Sequence, residues 1–262
     1  MKSLTLAFLC MLFSGLLMAQ ETPMTPTTGN AANPPTTTAS TPSTTTFGCV
    51  SGDCMNGWGK KTFDYGYYEG FWKNGNRDGY GLFDWNDSGK YIGFWVNNAM
   101  TGYGVYIGVN KDMVGEYQNG FIQGLGYIVE DEVWEQGRYE LSQLKDAYTF
   151  IDNGTTTGCV AGDCTNKYGR FKWSNGDSYT GFFKNGNLYM GTYLFANGDK
   201  YTGQFNSSNQ YHGQGRFFFT SGNYYGGEWN NGKYHGRGYY QGQSAADDRV
   251  GTWNNGTFVK KL

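Results

Sequence analysis

The sequence predicts an all-β chain: an elongated, twisted antiparallel sheet of successive β-hairpins, running as a single sheet through its repeats. Three observations predict it. A set of anchor residue, glycine and aromatic at alternate positions, as in Tyr68, Gly70 and Trp72, recurs with its glycine at 70, 93, 115 and a weaker 137 and again at 181, 203, 227 and a weaker 251. A spacing of 22 to 24 residues is the mark of a repeat architecture. Asn-Gly follows the aromatic at 74, 119, 185, 231 and 255, and both residues tolerate the positive φ of a tight hairpin turn. Finally, all five prolines precede residue 47, which leaves the rest of the chain free to form unbroken ladders.

Taken in order, residues 1–19 carry one lysine and then an apolar run from Leu4 to Met18 that ends at Ala19. This reads as a signal peptide cleaved before Gln20, since about fifteen apolar residues fall short of the roughly 20 that span a bilayer. An uncleaved anchor is the alternative. Residues 20–46 hold every proline and eleven threonines; such a composition builds no packed core and reads as an extended linker. Residues 47–139 form a first repeat block and 157–262 a second. Between them, 140–156 breaks the rhythm and reads as a connector, a short helix or a loosened hairpin.

Within one unit the alternation puts Tyr68, Gly70 and Trp72 on one face of a strand and Glu69, Phe71 and Lys73 on the other. A second strand runs through Gly79, Tyr80 and Gly81. A lone hairpin is marginal in water, so units must pack side by side and share their aromatic face. The glycine is expected to leave bare backbone for a ring from the neighbouring strand.

Glycine supplies 42 of 262 residues, more than twice its usual share. Net charge is near −2 and the isoelectric point near 5.7, so nucleic acid is not an expected partner. Nucleophile elbows and Walker loops are absent from the sequence, and no cofactor is expected.

The motif GCVSGDC at 48–54 returns as GCVAGDC at 158–164. An even set of four cysteines behind an export signal favours disulfides, and local pairs, Cys49 with Cys54 and Cys159 with Cys164, fit a Gly-Asp turn between the partners. The spacing is wrong for the usual zinc and redox pairs, and in one continuous sheet the two motifs would lie roughly 40 Å apart at about 4.8 Å per strand. His212 and His235 occupy the same point of their repeats and read as turn residues. Glu130, Asp131, Glu132 and Glu135 read as a solvated hairpin end. On the face opposite the aromatic core, Phe71, Phe94 and Phe182 stand where other units have Gln204, Glu228 and Thr252; this stripe is a candidate binding patch or dimer contact.

The units YEGFWKNGNRDGYG (68–81), YIGFWVNNAMTGYG (91–104) and YTGFFKNGNLYMG (179–191), with YHGQG at 211–215 and YHGRG at 234–238, resemble the MORN (Membrane Occupation and Recognition Nexus) repeat over residues 55–260, with six good units and two degenerate ones. The resemblance implies a scaffold that associates with protein partners or with itself, and at times a role at membrane lipids; the scattered Lys and Arg offer little basic patch for the latter. No kinase machinery accompanies the repeats. The expected function is a non-enzymatic, exported interaction scaffold at the cell envelope or outside the cell, in a periplasmic, surface or extracellular location. The alternative is a glycan or cell-wall binding module, which would leave Trp72, Trp95 and Trp229 exposed in pockets between repeats.

Overall fold

A computed structural model describes residues 47–262, which fall in one compact unit. The expected signal peptide (1–19) and linker (20–46) lie outside the described residues. Strands β1 (Gly48–Gly52), β2 (Trp58–Phe63), β3 (Gly66–Lys73), β4 (Asn76–Asp84), β5 (Gly89–Val96), β6 (Ala99–Gly108), β7 (Lys111–Gln118), β8 (Phe121–Glu130), β9 (Val133–Glu140) and β10 (Gln143–Ala147) pair strictly in sequence order. A second sheet does the same with β11 (Gly158–Gly162), β12 (Tyr168–Lys172), β13 (Ser178–Lys184), β14 (Asn187–Leu194), β15 (Lys200–Phe205), β16 (Tyr211–Phe218), β17 (Tyr224–Asn230), β18 (Lys233–Gln241), β19 (Arg249–Asn254) and β20 (Thr257–Lys261). Neighbouring strands run antiparallel, from the Trp58↔Phe71 pairing of β2 with β3 to the Glu130↔Val133 pairing of β8 with β9. The turns between strands obey the sequence: Asn74, Asn119, Asn185, Asn231 and Asn255 take φ near +50° and the glycine after each is also left-handed, the geometry of a type I′ turn.

The anchor glycines meet one another across successive ladders. Gly59, Gly70, Gly81, Gly93, Gly104, Gly115, Gly126 and Gly137 pair in succession across the first sheet, and Gly169 through Gly251 do so in the second. In five of the hairpins this row of bare backbone carries a tyrosine ring, at Gly70 and Gly81, Gly93 and Gly104, Gly181 and Gly191, Gly203 and Gly215, and Gly227 and Gly238. A Cβ on Gly70 or Gly81 would collide with the ring of Tyr68, so the ring covers the glycine two residues along its own strand as well as the one on the neighbouring strand. The expectation of a neighbour's ring alone is corrected to that extent: the tyrosine lies flat along both strands of its own hairpin. Its hydroxyl then donates to the carbonyl three residues on, as Tyr179 does to Phe182 and Tyr201 to Gln204, both at 2.8 Å. The next aromatic stands edge-on to it, with Tyr68–Trp72 at 5.0 Å and 89°, Tyr201–Trp229 at 5.3 Å and 86°. Perpendicular rings at this spacing are favourable beyond the area they bury. Each sheet thus covers one of its own faces.

The opposite face needs another cover, and this is where the chain departs from a single continuous sheet. The repeats form two sheets, and each lays its second face on the other, in reversed strand order. β4 lies against β17 and β18, and β6 against β16. Tyr189 of β14 donates to Glu116 of β7 at 2.6 Å, and Tyr168 of β12 packs edge-on against Tyr127 of β8 and Trp134 of β9. Phe71, Tyr80, Ile92 and Phe94 form the buried layer at one end, with Trp58, Leu82 and Val250 against it. A sheet whose both faces are apolar must be covered twice, and the duplication supplies the second cover. Of the two expectations for 140–156, a short helix or a loosened hairpin, its first part takes the second: residues 143–147 are strand, reached through a hairpin turn at Leu141 and Ser142 with φ of +50° and +60°.

Candidate interaction surface

The four cysteines among the described residues are disulfide-bonded in the local pairs, Cys49–Cys54 and Cys159–Cys164. Sequence dictates the local shape. Gly52 and Gly162 take φ of +70° and +71°, which reverses the chain so that each opening strand can turn back on its partner. The aspartate that follows closes the loop: Asp53 Oδ1 accepts the N–H groups of Met55 (2.8 Å) and Asn56 (3.0 Å), and these two bonds hold its carboxyl below the usual range. Asp163 repeats the arrangement with Thr165 at 2.8 Å. Disulfides persist in oxidising compartments.

Phe71, Phe94 and Phe182 do not lie on an open surface. They are 0%, 4% and 2% exposed and belong to the layer between the sheets, where Phe71 meets Trp58 and Phe182 meets Tyr168. Contact between the two blocks of one chain occupies this stripe. Where a unit carries Glu or Gln instead, the side chain finds polar work: Glu116, Gln204 and Glu228 accept the N–H of Leu125 (2.9 Å), Gln214 (2.9 Å) and Arg237 (3.1 Å) on the bulged neighbouring strand.

Trp72, Trp95 and Trp229 are 4%, 2% and 5% exposed. Exposed aromatic character lies elsewhere, at the loops that join one hairpin to the next. In the second sheet these loops read WSNGD, FANGD and FTSGN, and they bring Phe171, Trp173, Tyr193, Phe195, Phe217 and Phe219 into one half-buried ladder. Successive rings are 4.7 Å (Phe171–Trp173), 5.1 Å (Trp173–Tyr193), 4.7 Å (Tyr193–Phe195), 5.7 Å (Phe195–Phe217) and 4.6 Å (Phe217–Phe219) apart. The loops tie to one another through their acids. Asp177 accepts from the Tyr193 hydroxyl (2.7 Å) and the Ala196 N–H (2.9 Å), and Asp199 from the Thr220 N–H (2.8 Å); these bonds hold both carboxyls below the usual range. The first sheet has a shorter counterpart, in which Phe63, Tyr65, Phe83 and Trp85 stack at 4.4 to 5.9 Å. At the far end of the ladder a shallow cavity of about 510 Å³ is lined by Asn223, Tyr234, Tyr240, Arg249, Trp253 and Phe258.

The sequence reading missed this ladder, although its signal, an aromatic at either side of one residue followed by Asn-Gly-Asp or Ser-Gly-Asn, is plain in the chain. His212 is exposed on β16, and His235 on β18 pairs across the ladder with Glu228. Among the described residues no group of three or more His, Cys, Asp or Glu is placed to hold a metal ion. The acids Asp131 and Glu132 form a hairpin turn, with φ of +48° and +66°.

The profile of the MORN repeat matches residues 68–90, 91–113, 114–128, 201–224 and 225–244. Among curated proteins no relative matches the chain. The matched segments fall in both sheets and follow the hairpin units described above, which is consistent with a MORN-repeat protein with two repeat blocks.

Proposed function

We propose that the protein is a non-enzymatic, exported interaction scaffold that works at the cell envelope or outside the cell. The carrying observation is the half-buried aromatic ladder from Phe171 to Phe219, an apolar row set out at repeat spacing and held rigid by Asp177 and Asp199. Apolar rows rimmed by polar groups favour protein contact. The two disulfides support an oxidising destination, in keeping with the apolar segment at residues 4–18. Burial of Trp72, Trp95 and Trp229 speaks for the scaffold over the glycan-binding alternative, which needs those rings open between repeats.

Crosslinking followed by pull-down of the exported protein from its own envelope fraction tests this reading. A partner captured by the native chain and lost with Trp173→Ser and Phe195→Ser is the expected result. Recovery of the chain alone would sink it. Retention on immobilised cell-wall glycan, undiminished by protein competitors, would instead favour the alternative.

A further inference from the structure

Each position of the opening hairpin of the first block has its counterpart 110 residues later: Gly48 pairs with Thr62 as Gly158 pairs with Lys172, Gly52 with Gly59 as Gly162 with Gly169, with the same register shift between. The copies differ in what lies on their outer edge. Along β11 the connector adds a short antiparallel strand. The Asn153 N–H donates to Val160 O at 2.9 Å, the Gly162 N–H donates to Ile151 O at 2.8 Å, and Asp152 faces Ala161. The Asn153 side-chain amide donates to the carbonyls of both Cys159 and Gly162 at 3.1 Å. Phe150 anchors the segment, 5.6 Å from the Tyr168 ring and beneath the Arg170 guanidinium.

Along β1 the same backbone groups, Val50 O and Gly52 N–H, have no partner among the described residues. Val50 is 44% exposed and Cys49, Ser51 and Gly52 are exposed with it, whereas Ala161 in the second block is buried. A shallow cavity of about 420 Å³ opens here, lined among others by Cys49, Gly52, Cys54 and Lys61. Trp58 and Lys60 stand where Tyr168 and Arg170 hold Phe150. The residues that precede β1 as 150–153 precede β11 are Ser40, Thr41, Pro42 and Ser43, a stretch with neither an apolar anchor nor an asparagine to clip two carbonyls. The remaining edges carry charge, Lys145 and Asp146 on β10, Lys260 and Lys261 on β20, the usual defence of an open edge. β1, with the sequence GCVSG, carries none.

We propose that the outer edge of β1 is a strand-addition site for an extended segment of a partner protein with the pattern aromatic, aliphatic, polar, asparagine. The backbone of the segment bonds to Val50 O and Gly52 N–H, its asparagine amide spans the carbonyls of Cys49 and Gly52, and its aromatic residue lies over Trp58 beside Lys60. Main-chain bonds give such a mode its affinity and side-chain pockets its specificity. The site deepens the interaction reading and rests on it.

A labelled peptide YTFIDNG, the sequence of residues 148–154, titrated against the full chain and followed by fluorescence anisotropy, tests the site. Saturable binding with Kd of about 10–100 μM is expected, the range of a short segment with few anchors. Replacing asparagine by alanine in the peptide should weaken binding about tenfold, the cost of its two amide bonds. A chain carrying Ser40→Phe, Thr41→Ile, Pro42→Asp and Ser43→Asn supplies the strand in cis and should weaken it at least about tenfold by occupying the edge. Absence of saturation up to about 1 mM, or equal binding by the substituted chain, would overturn the proposal. So would a dimer that the peptide dissociates, which would assign the edge to a second copy. Should the peptide fail while envelope pull-down still recovers a partner, the edge site falls and the scaffold reading stands.

Discussion

Removing the Asp78–Arg237 pair should loosen the contact between the sheets, and a double-mutant cycle can measure how far. Arg237 projects from β18 and donates through Nη1 to the backbone carbonyl of Asp78 and through Nη2 to its carboxylate, both at 2.6 Å. Its guanidinium also lies 5.7 Å over the Phe71 ring. The Asp78 side chain is 11% exposed and that of Arg237 30%, so the pair sits between the surface case, worth about 0–1 kcal/mol, and a buried one, whose disruption costs about 3–5 kcal/mol. Asp78→Ala keeps the backbone carbonyl as an acceptor, and a loss of about 2 kcal/mol is expected; Arg237→Met removes both bonds and strands a carboxylate, at about 3 kcal/mol. The double variant should cost less than the sum, with a coupling of about 1–2 kcal/mol. Urea unfolding of the four proteins reads these values, and each kcal/mol should lower Tm by about 2–4 °C at this size. A coupling below about 0.5 kcal/mol, the limit of simple additivity, would refute the clamp.

Gly81→Ala should cost about 1–3 kcal/mol in the same assay, since its Cβ enters the space of the Tyr68 ring; Gly238→Ala, under Tyr225, should match it, and wild-type stability of both would show that the rings do not need the bare backbone. Burial, with the Arg216 guanidinium nearby, holds the Lys200 amine at about 8, against an ordinary 10.5. The unfolded chain therefore binds the extra proton between those values, stability from this group grows as pH rises from about 8 to 10.5, and Lys200→Met should stabilise more at pH 7 than at pH 10.5; a gain independent of pH would contradict the assignment. Mass spectrometry of the exported protein without reductant should find each block short by two hydrogens, and Cys159→Ser with Cys164→Ser should lower stability by about 2 kcal/mol on the loop-closure account. Free thiols at all four positions would remove the disulfides from the native protein.

The hairpin fold was legible because its rules are local. Alternation assigned Tyr68, Gly70 and Trp72 to one face, and Asn-Gly fixed five of the hairpin turns. Leu141 and Ser142 turn the chain with neither asparagine nor glycine, so the sequence left a short helix and a loosened hairpin both open where β9 turns into β10. The contact between sheets was hidden for a different reason. Its residues include Tyr80 and Tyr103, each the middle residue of a Gly-x-Gly, and Phe71 and Phe94, each one place after an anchor glycine. Nothing beside these aromatics on their own strands names what they face, and the residues they meet lie far away in sequence; the Tyr189–Glu116 bond joins positions 73 apart and the Arg237–Asp78 bond positions 159 apart. No period marks such a pairing. The aromatic ladder at the loops was legible in principle, but its residues flank turn signals and read as punctuation.

The two blocks face each other as complements, which follows from where they diverged. On the self-covered faces they keep one pattern, tyrosine over glycine beside an edge-on aromatic. On the facing surfaces the middle residues of the Gly-x-Gly positions differ: Tyr80, Tyr103 and Leu125 in the first block, Met190, Gln214 and Arg237 in the second, where Tyr189 replaces the first glycine of the Met190 unit. Three of these larger residues meet a glycine across the gap. Tyr80 lies on Gly226, Gln214 on Gly102 and Arg237 on Gly79. Two copies of the first block would set Asp78 opposite Leu125, the counterpart of Arg237, leaving a carboxylate without its cation. Such a mismatch disfavours pairing of like blocks and selects the pairing of unlike ones within a chain, where the connector holds them at high effective concentration. The same closure turns both apolar inner faces away from solvent and leaves outside the aromatic loops and, among the described residues, the outer edge of β1.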